Sequence, residues 1–209
     1  PMTDVSYNPT AVKILDEAAR LFMQLGYSAV SINDIVKAAE VTKPTLYYYF
    51  PDKAELFVQM ALQRLVQLHA ALDAGQAGAT STAARLASFA TVLLNADDGD
   101  MRMLRHEMAE HLPPEHQARL GVAFHQHLFM PLHSVMQAGI TQGDLVNHTP
   151  AELTMLFLGL MEAFHGYPAQ IDRMTIPSEL GRLRPAVFAP EALVNTFLHG
   201  VATYEERGE

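Results

Sequence analysis

The chain has 209 residues, 49% of them hydrophobic and 18% charged, a globular composition with length enough for a real core, which excludes a disordered polymer. It has no cysteine, which excludes disulfides and thiolate metal sites, and no uncharged apolar run approaches the ~20 residues of a membrane span. The net charge of −9 argues against nucleic acid only as a bulk property: residues 1–65 carry six Lys/Arg and seven Asp/Glu, the remainder eight against sixteen, so the first part is near neutral and able to present a local basic face.

Taken in chain order, the pattern is helical throughout. Asn8-Pro9 supplies a cap and a first-turn proline. Ile14, Leu15, Ala18, Leu21, Phe22 and Leu25 follow at helical spacing, and Gly26 closes the helix. Ser31 and Asp34 form a capping-box pair that opens a second, short helix with Ile32, Ile35, Val36 and Ala39 on its apolar side. Thr42 caps a third helix, Lys43 to about Phe50, with Pro44 in its first turn. Asp52 caps a fourth, with Glu55 as box partner, running to about Leu72. Residues 73–82 are mostly Ala, Gly, Ser and Thr and read as a linker or loop.

Beyond it, helices are expected at about 83–95, 101–111 and 115–139. Pro131 removes a backbone donor and clashes with the His127 carbonyl, which predicts a kink. Thr149-Pro150-Ala151-Glu152 caps a helix to about His165, residues 166–189 are mostly irregular, and Pro190 begins a last helix to about Glu206. The fold class is therefore all-α: a three-helix helix-turn-helix unit over 1–52, followed by a larger helical domain over 53–209. No signal peptide is visible, and the expectation is a cytoplasmic protein.

Two short capped helices behind a longer amphipathic one have helix-turn-helix geometry. The third helix sharpens this. Thr42, Lys43, Pro44, Thr45, Tyr47, Tyr48 and Tyr49 put hydroxyls, a cation and three adjacent tyrosines on two turns. Three consecutive tyrosines cannot all face a core, so at least one ring projects outward. Hydroxyls and Lys are donors to phosphate, and Lys also reaches guanine in the major groove.

Residues 10–60 resemble the DNA-binding region of the TetR family of regulators. The matching residues are Ala18-Ala19-Arg20-Leu21-Phe22, Gly26-Tyr27, Ser31, Asp34-Ile35, Ala38-Ala39, Val41-Thr42-Lys43, Thr45-Leu46-Tyr47, Tyr49-Phe50 and Lys53-Ala54-Glu55-Leu56. The resemblance implies that Lys43 and Pro44 approach base edges and that Asn33 reaches a base as well. It implies that Ser31, Thr42, Thr45, Tyr47, Tyr49 and Lys53 grip phosphates, and that Tyr27 supports the opposite flank. Tyr48 joins the candidates as the remaining tyrosine of the same helix. One departure is Glu40, where family members usually have glycine; a left-handed residue there costs about 1 kcal/mol, and the carboxylate is placed to repel a phosphate.

One such unit makes few contacts, so a homodimer on a palindromic operator of double-stranded DNA is expected, with recognition helices ~34 Å apart. The last two long helices carry wide apolar faces for it: Leu153, Leu156, Phe157, Leu160, Met161 and Phe164, then Leu193, Val194, Phe197, Leu198 and Val201. Gly159 and Gly200 are read as permitting close approach. The family resemblance implies a pocket for a small, largely apolar effector in the middle helices, with Phe89, Met103, His106, Phe124, His125, Leu128, Phe164 and His165 as candidate lining. The ten histidines include His106/Glu110 and Glu107/His111 at one-turn spacing, which match no defined metal motif; neither a metal nor a cofactor is expected. No catalytic constellation stands out. The competing expectation is a helical metal- or small-molecule-binding protein that does not use DNA.

Overall fold

The computed structural model describes residues 8–95, 108–146, 148–173 and 189–200, and of 164–173 only the backbone. Among the described residues there is no strand, and no helix is long and apolar enough to cross a membrane. The helices are α1 (Pro9–Leu25), α2 (Ile32–Ala38), α3 (Lys43–Tyr49), α4 (Lys53–Gln76), α5 (Thr82–Asn95), α6 (Pro114–Phe124), α7 (Met130–Gln142), α8 (Pro150–Arg173) and α9 (Pro190–His199), with a π-turn His125–Phe129 between α6 and α7.

The starts expected at Pro9, Ile32 and Pro150 hold, because each is a local hydrogen-bonding event. Asn8 Oδ1 accepts from the Thr10 and Ala11 amides. Ser31 and Asp34 close a full capping box, with Ser31 N donating to Asp34 Oδ2 at 2.9 Å and Asp34 N to Ser31 Oγ at 3.3 Å. Thr149 and Glu152 do the same at α8, at 3.0 and 3.3 Å. Gly26 ends α1 at φ 83°.

Several ends differ from the sequence expectation. α4 runs to Gln76, taking in the first residues of the expected linker, and α8 continues through Pro168 to Arg173, where an irregular segment was expected. The kink expected at Pro131 takes the form of the π-turn: proline gives the His127 carbonyl no amide four residues on, and the ladder widens there to the longer repeat. Gly200 caps α9 at φ 69°, a conformation that suits glycine. Most of the expected helix over 101–111 and the end of the last helix lie outside the described residues.

By contacts the chain forms two compact units. The described part of the first is 8–67 with 108–128, so the head draws on residues from both sides of position 52. Its core joins Ile14, Ala18 and Phe22 of α1, Ile35 of α2, Leu46 and Phe50 at α3, Leu56, Phe57 and Met60 of α4, and Leu112 and Leu120 from much later in the chain. α1, α2 and α3 pack on one another. The second unit is 68–95 with 129–146, 148–173 and 189–200, where α5, α7, α8 and α9 pack together. Leu86, Phe89, Leu132, Met136, Leu153, Phe157, Met161, Leu193 and Val194 are buried in it. Phe157 meets Phe197 edge-on at 5.1 Å, and buried Thr82 donates to Asp144 Oδ2 at 2.8 Å.

Candidate nucleic-acid interface

The turn between α2 and α3 sets the angle of everything that follows. Glu40 sits in it at φ 53°, the one non-glycine with positive φ among the described residues. The backbone closes as a Schellman motif, with Glu40 N donating to Lys37 O at 3.3 Å and Val41 N to Val36 O at 3.1 Å. Val36 and Val41 both pack on the core behind it. The Glu40 carboxylate is answered by Lys13 Nζ at 2.8 Å, which holds its pKa below the ordinary value. Glu40 is therefore half of an ion pair and not a lone exposed charge, which relieves the repulsion the sequence suggested.

α3 turns one stripe inward and another out. Leu46 and Phe50 are fully buried. Lys43 and Pro44, at the first turn, are exposed. The three tyrosines divide as sterics require: Tyr48 is 82% exposed, Tyr47 is 47% exposed, and Tyr49 packs on the core beside Phe50. Asn33 stands exposed on α2. These exposed side chains lie on the two short helices of the turn.

The hydroxyls are already partly used. Ser31 Oγ donates to Asp34 Oδ2 at 2.6 Å, so Ser31 is a cap first, and a phosphate would have to take that proton from Asp34. Thr42 Oγ1 and Thr45 Oγ1 lie 2.8 Å apart; one proton serves that bond, leaving the second to be donated outward. Lys53 begins α4, where amides and dipole favour an anion. Its Nζ lies 4.1 Å over the Tyr27 ring, a cation–π contact that restrains the ammonium. The Tyr27 hydroxyl pKa is raised by burial and then by the charge of Asp52.

α4's first turn departs from expectation. Glu55 N donates to Asp52 Oδ1 at 2.8 Å, as a cap requires, but the Glu55 carboxylate turns to other donors. Arg119 forks it at 2.6 and 3.0 Å, His116 Nε2 stands 3.1 Å away, and Gln59 donates at 2.7 Å. Burial pushes the Glu55 pKa up, but the bonds from Arg119, Gln59 and His116 outweigh it and leave it lowered. His111, His116 and Arg119 were missed as neighbours of Tyr27 and Glu55, since no local pattern links them to residues so far upstream.

The candidate effector residues are scattered in environment. Phe89 is core of the second unit and Leu128 is buried, Phe124 is half-buried and His125 is exposed. Met103 and His106 lie outside the described residues, as do the side chains of Phe164 and His165. A half-open cleft of about 540 Å³ lies elsewhere, between α1 and α4, with Leu15, Ala19 and Met60 as floor and Arg20 and Arg64 on its rim. His106 and Glu107 of the one-turn pairs are also outside. Among the described residues no group of three His, Asp or Glu is placed to hold a metal.

The family model described as bacterial regulatory proteins, tetR family, matches residues 14–60. The chain is 47% identical over 51 residues to the HTH-type transcriptional regulator AcrR of Shigella flexneri, the match covering 24% of each. It is 38% identical over 47 residues to IcaR, the biofilm operon icaADBC HTH-type negative transcriptional regulator of Staphylococcus aureus, covering 22% of this chain and 25% of that protein. The matches thus span about a quarter of those relatives' length. Over nearly the whole chain the fold is that of the reduced form of E. coli NemR, with TM-score 0.72, 19% identity and coverage of 93% and 98%. Residues 14–60 thus resemble the tetR family of bacterial regulatory proteins, and the rest of the chain shares the fold of the structural neighbour.

Proposed function

We propose that this protein is a cytoplasmic, ligand-responsive transcription regulator, a repressor rather than an enzyme. It binds a palindromic operator as a homodimer and is released by a small, largely apolar effector. The observation that carries the reading is the set of exposed side chains on α2 and α3: Lys43 and Pro44 exposed at the head of α3, Tyr47 and Tyr48 turned outward, Asn33 on α2, and Lys53 at the next helix start. A helix shaped this way enters a major groove with its first turn on base edges. Its neighbours hold phosphates. The names of AcrR, a transcriptional regulator, and IcaR, a negative transcriptional regulator, favour repression.

The dimer is assigned to α8 and α9, and the effector to the middle helices around Phe89, Met103, His106, Phe124, His125, Leu128, Phe164 and His165. The effector must bind the released state more tightly than the DNA-bound state, since equal affinity shifts nothing.

The test separates base reading from phosphate contact. Lys43→Ala is expected to lower affinity for a duplex enriched from random DNA much more than for a mixed-sequence duplex. Lys53→Ala is expected to weaken both alike and to reduce the salt slope by about one. Equal losses on both duplexes for Lys43→Ala would remove its base-reading role. No DNA binding by the wild type at low salt would favour the alternative, a helical small-molecule- or metal-binding protein.

A further inference from the structure

Residues 111–119 contact Tyr27 and Ser28 in the loop after α1 and Glu55 in the first turn of α4, although they lie far downstream in sequence. His111 stacks on Tyr27, with centroids 5.8 Å apart and planes at 21°, and its Nε2 is 2.6 Å from Ser28 Oγ. Phe22 and Phe57 hold the same tyrosine ring from other sides at 5.7 and 5.1 Å. That ring carries Lys53 Nζ at 4.1 Å. Two residues on from Lys53, Glu55 is forked by Arg119 at 2.6 and 3.0 Å. The later segment therefore touches the surroundings of Lys53 on two sides: the Tyr27 ring under its ammonium and the Glu55 carboxylate two residues on.

A lysine ammonium on a four-carbon stem samples many rotamers, and ordering it at the moment of binding weakens association. An ammonium carries three donors, so one restrained over a ring can exchange a partner for an arriving phosphate oxygen. We propose that His111 and Arg119 are positioning residues for the phosphate contact of Lys53, His111 acting through Tyr27 and Arg119 through Glu55. This rests on the DNA-binding reading above. It adds that the phosphate grip of the head is set by residues outside the helix-turn-helix.

The experiment measures affinity and salt slope of the full chain on a mixed-sequence duplex, together with melting temperature. Lys53→Ala is expected to cost about fivefold per protomer at ~0.15 M salt and about one unit of slope. His111→Ala and Arg119→Gln are each expected to cost about two- to fivefold and to lower the slope in the same direction. Neither should add further loss in the Lys53→Ala background. His111→Phe, which keeps a ring on Tyr27 without the Ser28 bond, is expected to bind as the wild type does. The proposal is overturned if the His111→Ala and Lys53→Ala losses simply multiply, or if His111→Ala lowers the melting temperature while the folded protein keeps full affinity. Unchanged binding by Lys53→Ala would sink the DNA reading itself, whereas a normal Lys53→Ala loss with a multiplying His111→Ala loss sinks the positioning role alone.

Discussion

Glu55 gathers three neighbouring donors on one carboxylate. It lies half-buried on α4 and accepts from Arg119, His116 and Gln59. Those donors favour its charged form, so its folded pKa lies below the ordinary 4.5 although burial opposes this. A lowered folded pKa contributes stability that is fully present above the unfolded value and is lost as pH falls through the folded one. The expected outcome is that Glu55→Gln is less stable than the wild type at neutral pH. The gap should narrow as pH drops below about 4.5, toward the point where the wild-type carboxylate is itself protonated. Melting curves of both proteins across that range check it, and a constant gap would mean that the Arg119 fork contributes through packing and not through charge. Glu40 is a second residue whose neighbour decides its meaning. Read alone it is a strained residue with an unwelcome charge; beside Lys13 it closes the turn as part of an ion pair.

Among the elements, α3 is seven residues long, too short to hold a helix in water by itself. Its first turn is capped by Thr42, whose Oγ1 accepts from Thr45 N at 3.3 Å. What keeps it folded is Leu46, fully buried against the α1–α4 core. Leu46→Ala leaves a void at the centre of the head and is expected to cost about 2–5 kcal/mol. Thermal unfolding should show the loss together with loss of DNA binding. A destabilisation below about 1 kcal/mol would mean that the core collapses around the smaller side chain. Helix starts and the inward stripe of α3 were legible in the sequence because capping and apolar spacing act within a few residues: Asn8, Ser31, Thr42, Asp52 and Thr149 all cap where expected. Helix ends were less legible. An Ala- and Gly-containing stretch such as 73–76 has weak preferences of its own, and Gly75 is settled by contact with Ser88, whose Oγ donates to its carbonyl at 2.6 Å. The outward edge with Lys43, Tyr47 and Tyr48 could be read from composition. The reach of His111 and Arg119 back to Tyr27 and Glu55 could not, since it depends on tertiary packing that leaves no local trace.

At the scale of the whole molecule, charge and surface both favour a paired chain. On the proposed reading, a net charge of −9 makes long-range attraction to DNA weak and leaves affinity to well-placed contacts used twice. The second unit buries Leu153, Phe157, Met161, Leu193 and Val194 for its own core, so these positions of the wide apolar faces are already occupied. What remains outward on α8 is Met155, 61% exposed, and Leu156, 60% exposed. One turn on is Gly159, where an added Cβ would meet open space. Residues 155, 156 and 159 share one face at helical spacing, and an apolar face beside a glycine suits a second helix approaching closely. Around a twofold, the same residue enters from both chains, so Leu156→Glu places two carboxylates in one apolar contact. For the proposed dimer, the expected outcome is a folded monomer by light scattering, with helix content unchanged and the proposed operator affinity lost because one head alone makes too few contacts. A Leu156→Glu protein that stays dimeric would move the interface off this face of α8, while one that becomes monomeric and still binds the operator tightly would break the link between pairing and recognition.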